Sequence, residues 1–68
     1  MKVHVELKGR GERREVELHP KATVWDLLRE LGLCRETVVV FVDGWPVPEE
    51  EQLRSGAKVV ILPVVTGG

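Results

Sequence analysis

The residues best suited to chemistry lie at the carboxyl end of the chain, where an apolar run gives way to Thr66 and then to Gly67-Gly68. Glycine has no Cβ, so this pair lets the backbone thread a narrow channel and adopt any φ. A carboxylate is a poor electrophile until it is activated, commonly as an acyl-adenylate formed from ATP. The pattern therefore favours a chain whose Gly68 carboxylate reacts inside the active site of another protein.

No second constellation of residues offers catalytic chemistry. His4 and His19 are isolated in sequence, without the spacing of a triad or a metal site. Cys34 is the single cysteine, so it cannot form an internal disulfide, and a lone thiol is typical of a reducing cytosol. We therefore expect a cytoplasmic protein that is not itself an enzyme, with no bound cofactor and no metal.

Length and composition limit the fold to one small domain. The 68 residues are 43% hydrophobic and 31% charged, as in soluble folded proteins. The net charge of −1 gives no general attraction to nucleic acid or to an anionic membrane, and the apolar runs are far shorter than the roughly 20 residues of a membrane span. We expect a folded domain over residues 1–65 and a flexible Thr-Gly-Gly tail over residues 66–68.

The first half of the chain predicts a hairpin followed by a helix. Residues 1–8 and 13–18 alternate between apolar and polar, and a glycine turn at 9–11 separates them. Thr23 is suited to be an N-cap, with Asp26 three residues later as a short capping box. Apolar residues at helical spacing extend the helix from Val24 to about Leu31, and the Gly32 that follows is suited to the left-handed C-cap position.

The second half predicts more strands. Residues 38–42 are continuously apolar, and Asp43-Gly44 is a strong hairpin signal. The prolines limit the return strand at 45–47 to a short edge piece. The acidic stretch 49–53 is predicted to be a helical turn anchored by Leu53, and the last strand is predicted from Val59 to about Val65.

Two of these strands carry more apolar surface than one helix can cover. Strands 38–42 and 59–65 are apolar on both parities, a pattern typical of sheets covered on both faces. Some side chains must therefore face water in the free monomer, and such a patch usually marks an interaction site. The candidates are Val39, Phe41, Val60, Leu62 and Val64. A homodimer formed through the same face is the alternative.

The chain resembles the ubiquitin-like β-grasp sulfur carriers, which include the thiamine-pathway carrier, the small subunit of molybdopterin synthase and the archaeal small modifier proteins. The resemblance covers the whole chain. Its most specific parts are the helix at 23–33, the hairpin at 42–47 and the end at 61–68. It implies an α+β fold in which a mixed sheet of four to five strands in ββαββ order packs on one helix, with the first and last strands as parallel neighbours.

The same resemblance implies partners and a function. A ubiquitin-activating-type adenylyltransferase would consume ATP and adenylate Gly68. A sulfur donor of the cysteine desulfurase or rhodanese type would convert the adenylate to a thiocarboxylate. An acceptor synthase or thiolase would use that sulfur to make molybdopterin, thiamine or thiolated tRNA. The chain would be a protein cosubstrate, a monomer when free, or the non-catalytic small subunit of a synthase. The alternative is a modifier conjugated through Gly68 to target lysines.

The resemblance also assigns faces to the ambiguous strands. Counting back from the glycines and from Asp43-Gly44 places Val38, Val40, Val42, Val59 and Ile61 in the core. Phe41 and Leu62 then match the positions of ubiquitin's apolar recognition patch, and Trp45 would flank it. The predicted partner-binding residues are Phe41, Trp45, Val60, Leu62, Val64, Thr66 and Gly67.

A third hypothesis makes the chain a small RNA-binding module. It would use the basic cluster of Arg10, Arg13 and Arg14 at the first turn. The net charge of −1 and the absence of a row of stacking aromatic residues argue against this hypothesis.

Overall fold

A computed structural model describes residues 1–64 of the chain as one mixed sheet with a single α-helix. The strands are β1 (Lys2–Leu7), β2 (Glu12–Glu17), β3 (Val38–Val42), β4 (Trp45–Pro46) and β5 (Lys58–Pro63), and the helix α1 is Val24–Leu31. A short 3-10 helix spans Arg35–Thr37. The spatial order of the strands is β2-β1-β5-β3-β4.

The first and last strands are parallel neighbours at the centre of the sheet. β1 pairs with β5 in parallel register, with Val5 opposite Val59 and Leu7 opposite Ile61. The β1–β2 and β3–β4 pairs are antiparallel hairpins, and β3 is antiparallel to β5. The predicted β-grasp arrangement of five strands on one helix is thus confirmed.

Both ends of α1 are capped as the sequence predicts. The backbone N–H of Thr23 donates to the Asp26 carboxylate at 2.9 Å, and the N–H of Asp26 donates to the Thr23 hydroxyl, which completes a capping box. At the other end Gly32 is left-handed, with φ of 73°. The N–H groups of Gly32 and Leu33 return to the carbonyls of Arg29 and Leu28, the two hydrogen bonds of a Schellman motif.

The core lies between α1 and one face of the sheet. It takes the inward parity of each long strand and the apolar stripe of the helix. Its fully buried large side chains are Leu27, Leu28, Val3, Val24 and Val59. Val40 and Ile61 are buried, and Val38 and Val42 pack against them half-buried, which confirms the parity expected for β3 and β5.

The acidic stretch 49–53 is not the predicted helical turn. Residues 49–50 form a turn, and Gln52 makes an isolated antiparallel bridge with Thr23. The carbonyls of Glu49 and Glu51 accept the N–H groups of Trp25 and Val24, at 2.9 Å each. Because these carbonyls satisfy free donors at the start of α1, they cannot serve a helix of their own. Leu53 is buried, as predicted.

The final strand is also shorter than predicted. β5 ends at Pro63, and Val64 lies outside the strand, although its N–H still donates to the carbonyl of Thr37 at 2.8 Å. The division between a domain at 1–65 and a tail at 66–68 remains a prediction, because Val65 and the residues after it lie outside the described part.

Candidate functional site

The reactive end predicted from the sequence, Thr66-Gly67-Gly68, lies outside the described residues. The structure does describe the strand that leads to it. β5 runs through the middle of the sheet between β1 and β3. One parity of β5 is anchored in the core by Val59 and Ile61, which are 0% and 2% exposed. The point from which the chain continues toward Gly68 is therefore held in a rigid part of the fold.

An apolar patch covers the face of the sheet opposite α1. In the β3–β5 register Val39 lies opposite Leu62 and Phe41 opposite Val60. Directly opposed residues of antiparallel strands point to the same face, so these four side chains form one contiguous group. Val39 is 40% exposed, and the other three are half-buried. We call Val39, Phe41, Val60 and Leu62 the open-face patch.

Predicted partner-binding residues thus meet in the structure at this patch. Phe41, Val60 and Leu62 belong to it, and Val64 follows beyond the end of β5 with 40% of its surface exposed. The structure brings Phe41, Val60 and Leu62 together. The role of these residues and of Val64 in binding remains a prediction.

Trp45 does not lie in this row. The β3–β4 register places Trp45 opposite Val42, whose side chain packs against the core, and places Pro46 opposite Phe41. Pro46 therefore borders the open-face patch where Trp45 was expected. The reason is the two-residue turn at Asp43-Gly44, both residues with positive φ, which fixes the register so that Trp45 meets Val42. Trp45 is 74% exposed at the edge of the sheet.

Charged residues border the patch on the β1 side. Glu6 lies opposite Val60 in the parallel register, and its carboxylate is 3.1 Å from Nζ of Lys8 and 3.9 Å from Nε of Arg13. The hydrogen bond from Lys8 and the positive charges nearby lower the pKa of Glu6 below its ordinary value of 4.5. The open face therefore combines an apolar group over β3 and β5 with a paired charged margin over β1 and β2.

A second surface cluster, which the sequence did not reveal, joins α1 to the segments around it. The Arg35 guanidinium lies over the Trp25 ring, 4.9 Å from its centroid, and Nη1 of Arg35 bonds the Glu49 carboxylate. The sequence offered no signal for this cluster, because its three members are far apart in the chain.

Two of the three arginines in the basic cluster at the first turn have acidic neighbours. Arg13 pairs with Glu6, and Nε of Arg14 is 3.3 Å from the Glu12 carboxylate. Within residues 1–64, no three His, Cys, Asp or Glu side chains are placed to hold a metal ion. No helix in this part of the chain is long and apolar enough to span a membrane.

Comparison with protein families matches residues 1–65 to the model described as small archaeal modifier protein 2. Among curated proteins, the chain is 38% identical over 68 residues to small archaeal modifier protein 2 of Haloferax volcanii, and the match covers all of both chains. It is 33% identical over 69 residues to an uncharacterised protein of Archaeoglobus fulgidus, again over the whole of both.

Solved structures show the same fold. The crystal structure of small archaeal modifier protein 1 from Haloferax volcanii superposes with a TM-score of 0.78 at 19% identity, and all of both chains is covered. A second crystal structure of the same protein gives a TM-score of 0.74 at 16% identity, covering 94% of this chain and 98% of the other.

Proposed function

Because this chain belongs to the small archaeal modifier protein 2 family, we propose that it is a ubiquitin-like cosubstrate whose Gly68 carboxylate is adenylated by a partner enzyme. The carboxylate attacks the α-phosphate of ATP, pyrophosphate leaves, and Gly68 becomes a mixed anhydride with AMP. ATP and the catalytic groups belong to the partner. This chain contributes the reactive group and the surface by which the partner recognises it.

The open-face patch is the observation that carries this proposal. An apolar group on a small domain is costly to leave in water and favours a partner that covers it. Val60 and Leu62 lie on β5, the strand that leads toward Gly68. A partner docked on the patch therefore also contacts the strand from which the C-terminal residues continue.

Sulfur transfer is the first use that we propose for the adenylate. A persulfide on a cysteine desulfurase or rhodanese-type donor would displace AMP and form an acyl disulfide with Gly68. A second thiol of the donor would then attack the donor's own sulfur in that disulfide. The Gly68 thiocarboxylate would leave, and the donor would become a disulfide. An acceptor synthase or thiolase would take the sulfur for a cofactor such as molybdopterin or thiamine, or for tRNA.

Protein conjugation is the second candidate, and one observation favours it. The Haloferax volcanii relative, matched over its full length, is itself called a modifier protein. In that use the amine of a target lysine displaces the activating group from Gly68 and forms an isopeptide bond. Both uses require the same adenylate, so one chain can serve both.

The decisive experiment is pyrophosphate exchange into ATP with the activating enzyme of the source cells. Wild-type chain is expected to support exchange, and a chain lacking Gly67-Gly68 is expected to lose it while keeping its thermal unfolding transition. A truncated chain that supported exchange as well as the wild type would refute adenylation at Gly68.

The docking face is tested by Phe41→Ala, with Trp25→Ala as its matched control. Both changes remove an aromatic side chain that is partly exposed, one from the open face and one from the helix side. We expect Phe41→Ala to raise the KM for this chain about tenfold or more, as for the loss of a buried aromatic anchor, and Trp25→Ala to leave it near the wild-type value. Equal effects of the two changes would contradict docking on the open face.

Intact mass and lysine mapping separate the two uses of the adenylate. A thiocarboxylate adds the mass difference between sulfur and oxygen to the chain isolated from cells. Lys58 is the last residue at which trypsin can cut, so a conjugate leaves residues 59–68 as a branched remnant on lysines of other proteins after tryptic digestion. Free chain with oxygen alone at Gly68, together with no remnant on any lysine, would exclude both uses.

A further inference from the structure

β5 separates from its two neighbours at different residues. On one side its pairing with β1 ends where Leu7 lies opposite Ile61 and the Lys8 N–H donates to the Ile61 carbonyl at 3.0 Å. On the other side the β3 pairing extends further, because the Val64 N–H donates to the Thr37 carbonyl at 2.8 Å. The chain therefore still has a backbone hydrogen bond on the β3 side, at Val64, after its last hydrogen bond to β1, at Ile61.

Pro63 explains the release from β1. In the parallel register the carbonyl of Lys8 would next accept an N–H from residue 63. Proline has no N–H, so that ladder hydrogen bond cannot form. The Lys8 carbonyl instead accepts the N–H of Gly11 within the β1–β2 turn, at 3.4 Å.

Gly9 makes room for the proline ring. A Cβ on Gly9 would lie 2.9 Å from Cγ of Pro63, closer than Cβ atoms approach other atoms, and 3.3 Å from Cδ, which is tighter than most such contacts. Gly9 is not among the glycines with positive φ, so its backbone could be adopted by alanine. The requirement for glycine at this position is therefore the space that Pro63 occupies.

We infer that Gly9 and Pro63 are positioning residues that set the point and direction from which the C-terminal Gly-Gly is presented. Four residues follow Val64 in the sequence, and a chain of four residues spans at most about 14 Å. Moving the release point by one residue, about 3.3 Å, would change a quarter of that reach. The expected effect on adenylation rests on the proposed function, whereas the contact between Gly9 and Pro63 does not.

A double-mutant cycle tests the contact. Gly9→Ala should displace the ring of Pro63 and lower the kcat of adenylation about tenfold, with a smaller change in KM, because misplacement of a reacting group affects the chemical step. Pro63→Ala removes Cγ and Cδ, so Gly9→Ala should have no added effect in the Pro63→Ala background. Pro63→Ala alone should create a protected amide at residue 63, bonded to the Lys8 carbonyl, visible by hydrogen exchange. Pro20→Ala, outside the strands, is the control for loss of a proline.

A second readout does not depend on activation. Cys34 is the single cysteine and is exposed, and Leu33 and Thr37 on either side of it line the same surface groove as Gly9 and Pro63. A nitroxide on Cys34 should broaden the NMR amide signals of residues 65–68 in a pattern that Gly9→Ala changes only when Pro63 is present.

The outcomes distinguish this inference from the proposed function. The inference is overturned if Gly9→Ala leaves both the broadening pattern and kcat unchanged, or if it changes them equally with and without Pro63. Loss of Pro63 without a newly protected amide at residue 63 also counts against it. If the broadening follows the prediction but wild-type chain supports no pyrophosphate exchange, the positioning stands and adenylation fails.

Discussion

The hydroxyl oxygen of Thr23 caps the N-terminus of α1. This oxygen accepts the N–H of Asp26 and so satisfies one of the free donors at the start of α1. We expect Thr23→Ala to lower the free energy of unfolding by about 1 kcal/mol, which in a domain of this size lowers the Tm by about 4–8 °C. Thermal melts followed by circular dichroism measure the change. Thr23→Ser keeps the acceptor and should retain most of the stability, and equal melting of the Ala variant and the wild type would contradict the role.

Asp26 links the same cap to pH. The Thr23 backbone N–H, with smaller contributions from the Thr23 hydroxyl and His19, lowers the pKa of Asp26 below its ordinary value of 3.8. Since the folded-state pKa is the lower one, the stabilisation is complete above the unfolded pKa and is lost as pH falls through the folded value. We expect Asp26→Asn to reduce the slope of unfolding free energy against pH between about pH 5 and 2. Urea titrations across that range measure it.

Some acid sensitivity will remain in that variant. The pKa of Glu6 and the pKa of Glu17 are also lowered in the folded chain, by the Lys8 ammonium and the terminal ammonium group respectively. If the unfolding free energy of Asp26→Asn depended on pH as steeply as that of the wild type, protonation of Asp26 would not be coupled to unfolding.

At the scale of elements, β5 has two chemically similar faces in different surroundings. Ile61 is 2% exposed in the core, and its neighbour Leu62 is half-buried in the open-face patch. We expect Ile61→Ala to cost about 2–5 kcal/mol of stability, as for a large-to-small change in a packed core. Leu62→Ala should cost clearly less and should weaken binding to the activating enzyme instead. Chemical denaturation and a binding titration on both variants measure these effects. A larger loss of stability in Leu62→Ala and a larger loss of binding in Ile61→Ala would refute the assignment of Ile61 to the core and Leu62 to the open face.

Most elements could be predicted because their signals are local. The alternation of β1 and β2, the capping residues of α1 and the Asp43-Gly44 turn act on near neighbours in sequence, and the structure has them in the expected places. The faces of β3 and β5 could not be read from periodicity, since both parities are apolar. They followed from the family resemblance.

The features that were predicted wrongly, or that the sequence did not reveal, depend on distant partners. The acidic stretch 49–53 has residues that favour a helix. The carbonyls of Glu49 and Glu51, however, accept hydrogen bonds from the first N–H groups of α1. The position of Trp45 depends on cross-strand register. The contact of Gly9 with Pro63 depends on a turn and a strand end that meet only in the folded sheet. In each case a tertiary contact, absent from any short window of sequence, decides the outcome.

At the scale of the whole molecule, the fold of residues 1–64 leaves one face of the sheet without a second layer. One helix covers the core side, and the open face keeps four apolar side chains beside paired charges. If the open face binds a partner as proposed, this division separates stability from recognition. The core can hold the domain together while the open face is free to meet a partner.

The same face could form a homodimer instead of binding a partner enzyme. The size of the open-face patch decides between these two alternatives. A stable dimer buries about 800 Å² on each partner, which is about a sixth of the 4654 Å² surface of this chain. The open-face patch has four side chains, three of them already half-buried, and its β1 margin carries charge. We therefore expect the free chain to sediment at equilibrium as a monomer of 7.6 kDa at micromolar concentration. A species of twice that mass, which Leu62→Arg returned to the monomer, would show instead that a second copy occupies the open face. The activating enzyme would then have to displace that copy before it could reach Gly68.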